Sequence, residues 1–157
     1  MHRLSNQVGK LPEWVPTGAL HYIAHTEIGA PIRALAREAG CHASTVLRQI
    51  RKVEMRRDDP LVEAALRKLG AAEAEIQPKA QTKRKESSVT YMPTDETLTR
   101  EALRILRRLC ETGAVLAVAE GLDKAVVVRD GEKTDTMRTA VVDSSVAQAM
   151  ALKDWIA

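Results

Sequence analysis

Positive charge is concentrated in one short stretch of this sequence, "AGCHASTVLRQIRKVEMRR" at residues 39–57. The stretch contains one acid, Glu54, and five Lys and Arg side chains, which are Arg48, Arg51, Lys52, Arg56 and Arg57. Guanidinium and ammonium groups bind phosphate oxygens, and arginine also binds guanine edges through paired hydrogen bonds. The residue types therefore indicate either a surface that binds a polyanion or a basic face covered by water.

An apolar stripe predicts the element that positions these cations. Val46, Ile50 and Val53 stand at i, i+4 and i+7, the spacing of one helical face, so we expect a helix that begins near Ala43. The cations, together with Gln49, would then project away from the stripe.

The residues before this helix have the spacing of a helix-turn-helix. That motif needs a small residue in its first helix, a residue tolerant of positive φ at the turn, and an apolar contact in its second helix. Ala36, Gly40 and Val46 supply them in that order, and Pro31 suits the first turn of the first helix. His42 is then the N-cap of the second helix, a weaker cap than the usual Ser.

In this motif the N-terminal part of the second helix enters the major groove, and its exit lies near phosphates. The predicted DNA-binding residues are His42, Ala43, Ser44, Thr45, Arg48, Gln49, Arg51, Lys52, Arg56 and Arg57. Two other interpretations stay open. The motif could contact only protein, or the basic face could be solvated and balanced by Asp58, Asp59 and Glu63.

Two further helix boundaries complete an N-terminal bundle. Thr17 is the expected N-cap of a first helix, and Asp59 followed by Pro60 predicts the start of a fourth. Gly70 is the expected end of that fourth helix. We therefore place a helix-turn-helix domain of about four helices at residues 17–71.

Two stretches show no sustained period. Residues 1–16 carry prolines on both sides of Trp14 and predict an N-terminal arm whose indole ring packs onto the following helix. Residues 72–93 are rich in Ala, Lys, Gln and Ser and contain the basic cluster "KRK". Their composition is typical of a linker.

Residues 94–157 predict a small α+β domain, so the fold class is mainly α with a second, winged-helix-like domain. Thr94 begins a segment with helical apolar spacing. Three β-branched runs separated by turns follow, "AVLAVAE", "KAVVVRD" and "RTAVV", and they predict strands. The segment "SVAQAMALKDWIA" predicts a last helix. The "DGEKTD" turn at 130–135 would be the wing. Its three carboxylates would repel phosphates, so we expect this domain to contact protein and not DNA through its turn.

The charge distribution places a polyanionic partner at the front of the chain. Residues 1–70 hold eleven Lys and Arg against seven Asp and Glu, whereas residues 94–157 hold nine against eleven. The sequence shows no Ser, His and Asp order of a hydrolase, no phosphate loop and no cluster of paired carboxylates of the catalytic type. We therefore expect that the protein is not an enzyme.

Metal and membrane sites are not expected either. His21 and His25 stand at i, i+4, but no Cys or carboxylate completes a ligand set, so we expect no metal and no cofactor. Cys41 and Cys110 are isolated thiols, which is typical of a reducing compartment. Since no apolar run approaches the roughly 18 residues of a membrane span, the prediction is a cytoplasmic protein with no membrane partner.

The order of the helix-turn-helix, the linker and the second domain is similar to that of a known family. "STVLRQIRKVEMRRDDPLVEAAL", the linker and "LAVAEGLDKAVVVRDG…RTAVVDSSVAQAMALKDWI" resemble the alphaproteobacterial helix-turn-helix regulators that include the gene transfer agent activator. The resemblance implies promoter binding, contact with an RNA polymerase subunit, and a further helical region after the "KDWIA" segment. "GCHASTVLRQI" also resembles the repressor and activator signature G-V-S-x-S-T-V-x-R-x-L, from which it departs at Cys41 and His42.

The sequence therefore predicts a sequence-specific regulator of transcription that binds double-stranded DNA at promoters. The alternative is a protein–protein adaptor in which the acidic second domain is active and the helix-turn-helix is a docking module. Neither an operator sequence nor an oligomeric state is indicated, because no zipper or dimer helix is visible.

Overall fold

Six helices and three strands form the part of the chain that the computed structural model describes, residues 11–74, 92–119, 121–130 and 136–156. In chain order the elements are α1 (Thr17–Thr26), α2 (Ile32–Glu38), α3 (Ala43–Glu54), α4 (Pro60–Ala74), α5 (Asp95–Leu109), β1 (Ala114–Ala117), β2 (Lys124–Asp130), β3 (Thr136–Asp143) and α6 (Ser144–Leu152). The protein is thus mainly helical with a small antiparallel sheet, which confirms that part of the predicted fold class.

The apolar stripe of α3 is the centre of the N-terminal bundle. Val46 and Ile50 are 0% and 2% exposed, and α1 and α2 both pack against this helix. The short α1–α2 and α2–α3 connections bring the three helices together, because each helix buries one apolar face against its neighbours.

Two predicted caps have different outcomes. Asp59 caps α4 as predicted, since its Oδ1 accepts a hydrogen bond from the Leu61 backbone N–H at 2.8 Å. Thr17 is the first residue of α1 and not its N-cap, so that prediction is wrong by one position. Pro16 holds the N-cap position with φ −61° and ψ 140°, values that its ring favours.

The predicted end of α4 at Gly70 is also wrong, because the helix continues to Ala74. Gly70 is buried beside the end of α1, where an added Cβ would lie 3.4 Å from Glu27 Cγ. This glycine therefore permits a close approach between two elements and does not terminate a helix. Residues 75–91, most of the predicted linker, lie outside the described residues.

The second unit places three antiparallel strands in the order β1-β2-β3. One face of the sheet is buried by α5 and α6, and its side chains include Ala125, Val127 and Val142. An irregularity in the β2–β3 pairing lies between Val127 and Val128. The predicted "AVLAVAE" strand is shorter than expected, since β1 ends at Ala117.

Helix α6 joins the two predicted units into one continuous core. Ala147, Ala149 and Met150 are 0% exposed, and α6 packs against α4 of the first unit as well as α5. Trp14 of the arm is buried as predicted, and its Nε1–H donates to the Pro93 carbonyl at 2.7 Å. Burial on several sides explains why α6 is apolar along most of its length.

Candidate nucleic-acid interface

The turn before α3 fixes where the candidate recognition helix begins. Gly40 has φ +64°, and the Cys41 N–H bonds back to the Ala36 carbonyl at 3.0 Å, which closes the end of α2. His42 is then the N-cap, as predicted, because its Nδ1 accepts from the Ser44 backbone N–H at 3.3 Å. The predicted weak cap is therefore the cap that the protein uses.

A glycine contact sets the rotation of α3 against α1. An added Cβ on Gly18 would lie 3.6 Å from both Gln49 Cβ and Val53 Cγ2, so the two helices approach closely there. Val53 itself is 9% exposed. With this side of α3 buried, the opposite side is turned outward.

The outward side of α3 carries two arginines that bind no other described residue. Arg48 and Arg51 are exposed and form no hydrogen bond or salt bridge within the described part of the chain. Ser44, one turn before Arg48, is exposed on the same side, and the first turn of the helix contains no acidic residue. Ala43 and Thr45, on either side of Ser44 in the sequence, are half-buried. The two arginines therefore give this side of α3 a positive charge that no described carboxylate binds.

Gln49 does not belong to that face, so its predicted outward orientation is wrong. Its Oε1 accepts from Nδ1–H of His21 at 2.7 Å, and His21 is 1% exposed. The reason is geometric, because position 49 lies three residues after Val46 and one before Ile50, on the side that packs against α1. Gln49 therefore supplies a partner to a buried imidazole.

Lys52 and Arg56, at the C-terminal end of α3, contact the end of α6. Lys52 Nζ and Arg56 Nη2 lie 2.8 and 3.0 Å from the two carboxylate oxygens of Asp154. The Arg56 guanidinium also donates to the carbonyls of Ala151 and Leu152. The bonds to the carbonyls hold a cation against the negative end of a helix dipole. The pKa of Asp154 is lowered, mainly by the hydrogen bond from Lys52 and also by the charge of Arg56.

Arg57 is likewise held by internal contacts. Its Nε and Nη2 donate to both carboxylate oxygens of Glu63 at 2.6 and 2.8 Å, and Nη1 donates to the Tyr22 hydroxyl at 3.1 Å. The hydrogen bond from Arg57 lowers the pKa of the Glu63 carboxyl and raises that of the guanidinium. The phosphate-contact roles expected for Arg56 and Arg57 stay predictions, and a phosphate would have to compete with these bonds.

Two features of the surface were not predicted from the sequence. Asp154 carries no sequence signal, because its partner Lys52 is 102 residues away. A row of exposed arginines on α5 was visible, since its members stand at i, i+4, i+7 and i+8. They are Arg100, Arg104, Arg107 and Arg108.

The two histidines at i, i+4 spacing have separate surroundings. Nδ1–H of His21 donates to Gln49, and Nδ1–H of His25 donates to the Ala30 carbonyl at 2.9 Å. Among the described residues, no three His, Cys, Asp or Glu side chains are grouped as a metal site would require.

No family model, curated protein or solved structure matches this chain. The resemblance to gene transfer agent activators therefore stays a prediction from the sequence. Within the described residues, none of the helices has both the length and the apolar character that crossing a lipid bilayer demands.

Proposed function

We propose that this protein is a sequence-specific DNA-binding regulator of transcription in which α3 is the recognition helix. The observation that supports the proposal most directly is the outward face of α3, where Arg48 and Arg51 are exposed and bind no other described side chain. Arginines left without internal partners are available to phosphates and guanine edges.

The proposed docking follows from the way α3 is fixed. The contacts at Gly18 and the cap at His42 hold its axis and its start, so the backbone that carries Ser44, Arg48 and Arg51 is fixed in position. Arg48 would reach a base edge near the groove floor, and Arg51 would lie nearer the backbone phosphates. Lys52 remains 69% exposed despite its ion pair and can exchange Asp154 for a phosphate.

The β2–β3 hairpin has a different proposed role. We expect it to be a wing that does not bind DNA through its tip, although residues 131–135 of the "DGEKTD" turn lie outside the described residues. The variant Lys133→Ala should leave duplex affinity within about twofold, since neighbouring carboxylates repel phosphates. A loss similar to that of Arg48→Ala would contradict this part of the proposal.

The test of DNA binding is the salt dependence of affinity, measured by fluorescence anisotropy on the full chain. Contact with about four to six phosphates gives a log–log slope of about −4 to −5. A duplex selected from a randomised pool should bind more tightly than its scrambled sequence at every salt concentration. A slope near zero would contradict the proposal and favour the protein–protein adaptor.

Promoter activation and contact with RNA polymerase, which the resemblance implies, stay predictions. Point variants of α3 test DNA binding more cleanly than removal of residues 94–157, because that deletion would expose the apolar face of α4 that packs against α6.

A further inference from the structure

An apolar groove of about 350 Å³ lies between α5 and the chain that follows α6. Its lining residues are Thr99, Ala102, Leu103, Leu106 and Trp155. Leu103 is 55% exposed and Trp155 is 37% exposed, although both are large apolar side chains. Exposed apolar side chains that lie next to each other mark an interaction site more often than isolated exposed ones do.

Trp155 is held in place at this groove by its backbone. Asp154 has φ +62°, and its N–H bonds to the Ala151 carbonyl while the Trp155 N–H bonds to that of Met150, both at 3.0 Å. These two bonds form the left-handed turn that ends many helices. Lys153 Nζ also lies 4.5 Å from the centre of the indole ring. A partner would therefore meet an indole that is already ordered, which reduces the entropy lost on binding.

A basic ridge borders the groove. An adjoining cavity of about 550 Å³ shares Leu103 with the groove and is otherwise lined by Arg100, Arg104, Arg107, Arg108 and Glu111. Three of these arginines have a carboxylate partner within the chain: Arg104 binds Glu101 at 2.7 Å, Arg108 binds Glu111 at 3.0 Å, and Arg100 lies 3.8 Å from Glu101. Arg107 is exposed and forms no hydrogen bond or salt bridge with a described residue, so the ridge keeps a net positive charge.

We infer that this groove binds an acidic amphipathic helix of a partner protein. Leucine-type side chains of that helix fill the space between Leu103 and Trp155, and Asp or Glu side chains on its flank pair with Arg107 and Arg100. The groove follows positions 99, 102, 103 and 106 along two turns of α5, the direction in which a second helix packs. Exposed tryptophan and arginine are also the residue types that contribute most to protein interfaces. This inference goes beyond the proposed DNA binding and does not depend on it.

Two other occupants fit the groove less well. A DNA duplex would place phosphates over the apolar side chains of Leu103 and Trp155, which cannot bind them. A second copy of the chain, joined by a twofold axis, would bring the same patch against itself and set arginine against arginine. An acidic amphipathic helix can pack its apolar side chains against Leu103 and Trp155 and pair its carboxylates with the arginines of the ridge.

The experiment uses the full chain and a designed probe, a peptide helix of about 18 residues with Leu at i, i+3, i+4 and i+7 and Glu on the adjoining flank. Binding is followed by the anisotropy of the labelled peptide and by the change in tryptophan emission. That change reports on Trp155, because Trp14 is buried away from the groove and its surroundings stay the same. Leu103→Asp and Arg107→Glu should each weaken binding about tenfold. Leu122→Asp is the matched control, because Leu122 is 61% exposed and lies outside the groove.

Charge reversal gives the sharpest result. A peptide with Lys in place of Glu should bind the wild type at least about tenfold more weakly and recover affinity for Arg107→Glu. The inference is overturned if the Glu and Lys peptides bind equally, or if Leu103→Asp affects binding no more than Leu122→Asp. It is also overturned if sedimentation shows a dimer that Leu103→Asp dissociates, or if Arg107→Glu reduces duplex affinity and leaves peptide affinity unchanged.

Discussion

Two pairs of arginines, one on α3 and one just after it, are in opposite situations. Arg48 and Arg51 are exposed and bind no other described residue. Arg56 and Arg57, which follow within two turns, bind α6 carbonyls, Asp154, Glu63 and Tyr22. A row of arginines therefore does not define a binding surface until its internal partners are known, because a guanidinium binds a carboxylate of its own chain as readily as a phosphate.

Arg48 and Arg51 are available to a ligand, whereas Arg56 and Arg57, just after the end of α3, fasten the helix to the rest of the molecule. Substitutions in the two pairs should therefore separate binding from stability.

The largest expected effect is that of Arg48→Ala on duplex binding. If Arg48 donates to a guanine edge, the substitution should cost about 1–3 kcal/mol on the preferred sequence and relax specificity. Anisotropy titrations with preferred and scrambled duplexes measure both quantities. Arg67→Ala is the matched control, because Arg67 is an exposed arginine on α4. Equal losses on both duplexes would show that Arg48 contacts only phosphate.

Arg56→Ala should chiefly reduce stability. Its side chain is 23% exposed, and its loss leaves two carbonyls without a donor and Asp154 with Lys52 as its remaining cation. Hydrogen bonds to charged groups suggest a decrease of about 1–2 kcal/mol in the free energy of unfolding, measurable by urea denaturation. Arg51→Ala should leave that free energy unchanged. The proposed separation of binding from stability is wrong if Arg51→Ala destabilises the fold as much as Arg56→Ala.

Gln49→Ala sharpens the boundary between the two regions. The substitution removes the acceptor of the buried His21 N–H and should lower stability by about 1 kcal/mol. Duplex affinity of the folded protein should stay within about twofold, since Gln49 faces α1. Thermal denaturation and anisotropy together check this expectation. A specific loss of affinity without loss of stability would place Gln49 at the DNA instead.

The smallest expected effect is the pH dependence of the Asp154 contacts. The folded-state pKa of Asp154 is lowered, so its stabilising contribution is present above the ordinary pKa of about 4 and is lost as the pH falls through the folded value. Asp154→Asn tolerates the positive φ and removes the charge. Its Tm should therefore lie slightly below that of the wild type at pH 7, and the gap should close below about pH 4. A gap that does not change with pH would mean that the charge of Asp154 contributes nothing.

Local patterns predicted much of the fold. The spacing of Val46, Ile50 and Val53 predicted α3, and β-branched runs predicted the strands, because these signals depend on residues that are close in the chain. Predictions that depended on distant neighbours were less successful. Glycine is the residue type that most often follows a helix end, but Gly70 lies within α4, where its missing side chain leaves room for Glu27.

The sequence by itself determined the helix-turn-helix spacing, the cap at His42 and the concentration of cations on α3. Only the tertiary structure decided which of these cations bind another described residue, because Asp154 and the α6 carbonyls reach Arg56 from the other end of the chain. The same holds for the groove, since Leu103 and Trp155 meet only when α6 packs beside α5. A side chain's type is local, whereas its partners are set by packing between elements far apart in sequence.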